Sequence, residues 1–369
     1  MTALHHPVAG VERAGRGVET AGTSVALLPK GRAMRTVDES TATGIPPRRT
    51  EAPDRGRAAR AGVPTFPLPH EKAQAAARTA RPARAATAVP ASASTGIADL
   101  LRGPVRPARV LMTAPAAVYL SVSGERGGDV VGVLTSDAAR LPLACVLNRP
   151  SNGRPLVALP SGAPAEVGGG RIVVGDLAIS AAAWWNPRPR LPSLRPALLP
   201  EGVRQLRNTL YGEGVPHSAF CLPGLPTGPG GPLAALRGAV RRADLDAALR
   251  TATRLIGLGP GLTPAGDDVM AGTIAGLVLL GHPAAERFAA GVYSLAAGRT
   301  TELSRALLRH AACGRVSGEY AAVFHGLVGE RPLAPAITVL LNTGSTSGRA
   351  MALGLCTAID LVERTTRVR

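Results

Sequence analysis

The sequence predicts an α+β protein: a β-rich N-terminal part, then a helical C-terminal part, with a disordered N-terminal extension. Three observations predict it. Residues 1–95 alternate Pro, Arg, Ala, Thr and Gly, with 14 basic and 7 acidic residues and few periodic apolar positions. Such a stretch buries too little apolar surface to offset its ordering entropy. Residues 98–195 carry short Val-rich runs separated by turn signals, the pattern of paired strands. From residue 200 onward, apolar positions recur at helical spacing between Pro and Gly punctuation.

In the β-rich part, Val118–Val122 and Val130–Thr135 flank the turn-forming run Gly124–Asp129, which predicts a hairpin. Ala144–Leu147 is a third short strand. Arg171–Val174 and Leu177–Ser180 straddle Gly175-Asp176, a two-residue turn signal. Trp184 and Trp185, the chain's two tryptophans, are expected to cap the core of this sheet.

In the helical part, Glu201–Tyr211 follows Pro200 and stops at Gly212. The Pro/Gly-rich loop 216–232 separates two regions of helix. Asp244 is placed to cap a helix reaching Ile256, with Leu245, Ala248, Leu249, Ala252 and Leu255 on one face. Further helices are expected over Pro264–Leu280, Thr301–Ala312 and Ser347–Val362. The organisation is thus an extension (1–95), a β-rich domain (98–195) and a helical domain (200–369).

Composition narrows the function classes. Among 369 residues the net charge is +17, which invites a nucleic-acid reading. Only Lys30 and Lys72 are lysines, however, and the arginines are dispersed with no interleaved aromatics, so a nucleic-acid partner is not expected. Cys145, Cys221, Cys313 and Cys356 are far apart in sequence and form no Cys/His pattern with metal-ligand spacing. No secretory leader is read in the first thirty residues. The most apolar run, Val269–Leu280, has 12 residues, short of the ~20 that span a bilayer. A cytoplasmic protein with reduced thiols and no membrane partner is expected.

The segment Gly257-Leu-Gly-Pro-Gly-Leu-Thr-Pro-Ala-Gly-Asp-Asp268 carries the clearest chemistry. Gly257 suits the residue just past a helix end. Gly259 and Gly261 flank Pro260, alternating permissive and rigid backbone. Thr263 followed by Pro264 reads as an N-cap and first helical residue. A helix start of this kind aims free N–H groups and a positive dipole end at the loop, which suits a phosphate or carboxylate. Gly266 removes a side chain beside the loop. Asp267 and Asp268 are the candidate catalytic residues. Successive helical residues diverge by about 100°, so one of them is expected to face the loop, where it would bind a metal such as Mg²⁺, orient an ammonium or amide group, or cap the loop amides. The P-loop and dinucleotide fingerprints do not fit: there is no lysine, and a helix rather than a strand precedes the turn. A helix–helix corner with an acidic start explains the same residues structurally.

A second polar turn, Asn342–Gly348, precedes the last helix. Ser345, Thr346 and Ser347 are all competent caps, Gly348 follows them, and Arg349 is placed to add charge. Capping accounts for Thr300-Thr301 before Glu302 and Ser304. No histidine stands out as a general base: His217, His282, His310 and His325 read as surface or loop residues.

The Gly257–Asp268 run resembles the signature of the AllH-like proteins. Ala117-Val-Tyr-Leu through the Val130 strand, Thr300-Thr-Glu-Leu-Ser and Gly344-Ser-Thr-Ser-Gly348 agree with it, and the resemblance covers roughly residues 98–369. It implies a subunit of oxamate carbamoyltransferase, which interconverts oxalurate plus phosphate with oxamate plus carbamoyl phosphate in allantoin (purine nitrogen) breakdown. It also implies partner subunits of the same complex. Arg349 and Ala350 depart from the aromatic and acid that many members carry there, which leaves open another carboxylate or carbamoyl substrate. On this reading Gly257, Gly259, Gly261, Thr263, Gly266, Ser345, Thr346, Ser347 and Gly348 bind substrate, while Asp267 or Asp268 handles the carbamoyl amide or a metal. The alternative is a non-catalytic ligand-binding or scaffold protein whose glycine turns only pack helices.

Overall fold

In a computed structural model, residues 88–368 are described, apart from 125–127, 157–158, 192–195, 215–220, 227 and 229. The extension expected over 1–95 lies outside the described residues up to position 87. Its last residues form a strand instead.

That strand, β1 (Val89–Ser94), joins β2 (Arg106–Ala114), β3 (Ala117–Val122), β4 (Asp129–Leu134), β5 (Ala144–Leu147), β6 (Pro164–Gly168), β7 (Arg171–Val174) and β8 (Leu177–Trp185). The eight close a barrel in the order β1-β5-β4-β3-β2-β6-β7-β8. Both predicted hairpins form: β3 pairs antiparallel with β4, Val122 opposite Asp129, and β7 with β8, Val174 opposite Leu177. Parallel pairing of β1 with β8 and of β4 with β5 completes the closure, leaving no open sheet edge. A short helix, α1 (Ala98–Arg102), follows β1. Arg102 stacks over the Trp184 ring, 4.5 Å from its centroid, and Trp184 packs against the barrel core.

Alternation along β3 explains how the barrel builds a second surface. Val118, Leu120 and Val122 point into its core. Ala117 and Tyr119 point outward, where they meet Leu134, Ala144 and Val146 from β4 and β5 in a separate cluster. A strand pair with one apolar set inside and another outside must be covered on both faces.

The helices are α2 (Pro200–Tyr211), α3 (Pro232–Arg241), α4 (Leu245–Leu255), α5 (Ala265–Leu279), α6 (Ala285–Leu295), α7 (Glu302–Ala312), α8 (Gly318–Leu327), α9 (Leu333–Leu341) and α10 (Ser347–Val368). Asp244 caps α4 as expected, accepting from the Ala247 amide at 2.8 Å. Helix α5 is buried on nearly every face, as its almost wholly apolar composition after Asp268 requires. Its main neighbour is α10. A Cβ at Gly272 would strike the Met351 carbonyl, and one at Gly354 would strike that of Val269. Glycine on both helices therefore lets their backbones nearly touch.

Helix α7 bridges the two halves. Leu303 and Ala306 belong to the barrel core, whereas Leu308 and Ala311 belong to the helical core. Polar contacts reinforce it: Glu302 accepts from Arg109 and Ser121 on β2 and β3, and Arg309 pairs with Asp129 on β4. Among the described residues no helix is long and apolar enough to cross a membrane.

Candidate functional site

The glycine turn links α4 to α5. Gly257, Gly259 and Gly261 all take positive φ (76°, 118° and 92°), the region only glycine enters without strain. Gly257 and Gly266 are also required by contact: their Cβ atoms would fall on the carbonyl oxygens of Arg299 and Leu255. At Gly261 a Cβ would meet nothing within 4 Å among the described residues.

The helix start differs from the sequence expectation. Pro264, not Thr263, occupies the N-cap, and no side chain caps the helix. Thr263 turns away, its Oγ1 lying 3.1 Å from Ser347 Oγ on α10. The Gly266 amide donates to the Leu258 carbonyl at 2.9 Å, while those of Asp267 and Asp268 turn back to Pro264 at 2.9 and 3.2 Å. These three N–H groups are spent on backbone, so the expected anion cradle does not form at them.

The two carboxylates diverge, as adjacent helical residues must. Asp267, 2% exposed, faces the loop. Its Oδ1 accepts from the Gly257 amide at 2.8 Å and its Oδ2 from the Thr300 hydroxyl. Burial raises its pKa, against the lowering effect of Thr300 and Gly257. This residue ties the turn shut. Thr301 meanwhile caps α7 and donates to the Leu262 carbonyl at 2.5 Å, so the Thr300-Thr301 pair fastens the turn to α7 and does more than cap.

Asp268 faces the other way, toward a cavity between β3, the end of β4 and the β4–β5 loop on one side and helices α5, α7, α8, α9 and α10 on the other. It is 5% exposed. Its Oδ2 is fully buried and has no hydrogen-bond partner among the described residues. Burial pushes its pKa up to about 7; the Ser347 hydroxyl lowers it, nearby Asp267 raises it, and the Thr263 hydroxyl lowers it. An unpaired buried acceptor is expensive. Asp268 itself is part of the cavity wall.

The cavity encloses about 690 Å³. Of the residues singled out from sequence, it gathers Thr263, Asp268, Ser347 and Gly348, together with Asn342, Thr343 and Gly344 of the second polar turn. Gly257, Gly259, Gly261, Gly266, Asp267, Ser345 and Thr346 do not line it. Gly348 is a packing residue as well, since its Cβ would sit on the Leu340 carbonyl. Arg349 is exposed and adds no charge to the cavity.

Sequence reasoning missed several other polar groups that line the cavity. Arg315, between α7 and α8, lines it and reaches the Gly96 carbonyl at 3.5 Å. Glu319 on α8 lines it; its Oε1 accepts from the Arg140 amide at 3.2 Å, and its buried Oε2 has no hydrogen-bond partner among the described residues. Tyr119 contributes from β3, its pKa raised by burial to about 12.

His310, expected at the surface, is instead 5% exposed. Its Nδ1 has no partner among the described residues. Burial, then Arg315 and Arg309, depress its pKa to about 3, so the ring stays neutral. The spacing Leu303, Ala306, Leu307, His310 places it on the barrel-facing stripe of α7, a signal present in the sequence. His325 bonds Glu330 at 2.5 Å, and His282 lies 3.3 Å from Thr365; His217 lies outside the described residues.

The donor set does not fit Mg²⁺ at the acidic pair. Both oxygens of Asp267 are engaged within the turn, which leaves Asp268 alone. Among the described residues no group of three or more His, Cys, Asp or Glu side chains is placed to hold a metal ion.

Residues 255–359 match the family model of oxamate carbamoyltransferase subunit AllH. This segment is AllH-like. It runs from the end of α4 into α10 and contains the glycine turn, Asp268, Arg315, Glu319 and Ser347. The barrel lies outside the matched stretch. No curated protein and no solved structure matches the chain.

Proposed function

We propose that the chain is the AllH-type subunit of an oxamate carbamoyltransferase-like enzyme, and that the cavity beside Asp268 holds the amide substrate. The unpaired, buried Asp268 Oδ2 inside the AllH-like segment carries this reading. Oxamate and oxalurate both present N–H groups together with a carboxylate. The N–H suits Asp268, and the carboxylate suits Arg315 on the same cavity wall.

The reaction would then run as follows in the phosphorolytic direction. A phosphate oxygen attacks the carbamoyl carbon of oxalurate, and the bond from that carbon to the oxamate nitrogen breaks. The departing nitrogen needs a proton, and the attacking phosphate gives one up. A carboxyl group with a pKa near 7 serves both directions, as acid toward nitrogen and as base in the reverse. The glycine turn acts indirectly, holding the start of α5 in place through Asp267. Partner subunits are expected to complete the site, and binding of phosphate or carbamoyl phosphate is assigned to the assembled enzyme.

Calorimetry of the full chain with oxamate tests this. The wild type is expected to bind. Asp268→Asn, which replaces one carboxylate oxygen by an NH₂ donor and removes the charge, is expected to weaken binding roughly tenfold to a hundredfold, the worth of a hydrogen bond to a charged group. Equal affinity of the two proteins would overturn the assignment. Binding of oxamate to neither would favour a scaffold role, which the tight backbone contacts of Gly257 and Gly266 also suit.

A further inference from the structure

The cavity is larger and more apolar than oxamate requires. At roughly 30 Å³ per heavy atom, as in liquid water, oxamate fills less than ~200 Å³, against a cavity of about 690 Å³. That volume falls in the roughly 300–1,000 Å³ range of pockets that bury drug-sized ligands. Polar side chains, Asp137, Thr338 and Asn342 among them, also line it, but most of its accessible surface is hydrocarbon, with Leu134, Leu141, Leu307, Val316, Leu340 and Met351 contributing. These residues come from the barrel side, α7, the α7–α8 loop, α9 and α10, so the apolar surface is not confined to one wall. Val339, 56% exposed, lies on the same lining and extends the apolar surface to solvent.

We infer that the cavity takes an N-substituted amide or ureido acid with an apolar body. Its N–H donates to Asp268 Oδ2, its anionic group meets Arg315, and its hydrocarbon or aryl substituent occupies the space lined by Leu134, Leu307, Leu340 and Met351. This inference rests on the reading of Asp268 as the ligand's acceptor. It adds that the apolar substituent supplies most of the affinity, which a bare two-carbon amide cannot do.

Calorimetry on the full chain with oxamate, N-propyloxamate and N-phenyloxamate tests the addition separately. Each buried CH₂ is worth up to about fourfold in affinity. After the ordering of the chain is charged against it, the propyl derivative is expected to bind about tenfold tighter than oxamate, and the phenyl derivative at least as tightly as the propyl. Ala116→Leu and Ala138→Leu place bulk at half-buried lining positions and should pull the phenyl-to-oxamate affinity ratio toward one. A ratio taken on one variant does not depend on the fraction of protein that is folded. Should oxamate bind as well as or better than both derivatives, the apolar-body inference fails while the role of Asp268 stands. If none of the three binds, both fail.

Discussion

Replacing Asp268 by Asn should make the protein more stable at pH 8 than the wild type, by an amount that shrinks as the pH falls. In the unfolded chain the carboxyl titrates near 3.8, and in the folded protein burial pushes it up to about 7. The folded state therefore keeps a proton that the unfolded state releases between these values. Stability is highest below pH ~4, falls as pH rises toward 7, and is flat above. At about 1.4 kcal/mol per pH unit, the loss between pH 5 and pH 8 is on the order of 3 kcal/mol. Asparagine has no proton to lose, so the variant escapes that loss. In a protein of this size, 3 kcal/mol corresponds to roughly 6–12 °C in melting temperature. The assay is thermal or urea denaturation of both proteins at pH 5 and pH 8, with the difference between them as the readout, since all other titrating groups cancel. A difference that does not change with pH would refute the claim that Asp268 is held in a desolvated site.

Other outcomes follow from the same geometry. His310→Gln should remove an acid sensitivity: the folded pKa is depressed to about 3, so the wild type loses stability as pH falls below ~6.5, by several kcal/mol at the low end, and paired melts at pH 7 and pH 4 measure it. Gly266→Ala should cost more than Gly261→Ala. The first drives a Cβ onto the Leu255 carbonyl, about 3 kcal/mol or more, whereas the second meets only backbone strain at φ 92°, about 1 kcal/mol; the reverse order in urea titrations would contradict the packing account. Glu302→Ala should cost about 1 kcal/mol or less, because the Arg109 and Glu302 side chains are 54% and 40% exposed, and a double-mutant cycle with Arg109→Ala isolates the pair.

The parts of the fold that were legible in the sequence were local. Two hairpins announced themselves through Val-rich runs around Gly124–Asp129 and Gly175-Asp176, and α4 through Asp244 and its apolar stripe. Barrel closure was not legible. It depends on β1, whose Val-Pro-Ala-Ser-Ala-Ser composition carries almost no strand signal, and on its parallel pairing with β8 far along the chain. Strand propensity in such a segment is supplied by its neighbours.

The site divides the same way. The glycine turn was visible as a motif, and the 100° divergence of Asp267 from Asp268 follows from helix geometry alone. Which of the two meets a ligand was not. That depends on residues 116–142 and 315–351 folding around one of them, and no local pattern encodes that meeting. Thr263 looked like a cap because Thr-Pro usually is one. Here its hydroxyl is drawn to Ser347, and the backbone carbonyls of Leu258 and Pro264 satisfy the amides that a cap would have served.

The most direct test is a crystal structure of the chain with oxamate, or with N-phenyloxamate if that binds tighter. The account predicts the ligand nitrogen within roughly 2.6–3.2 Å of Asp268 Oδ2, inside the cavity beside Thr263 and Ser347. A ligand held instead by the Gly257–Gly261 turn, with Asp268 Oδ2 still unpaired, would contradict it.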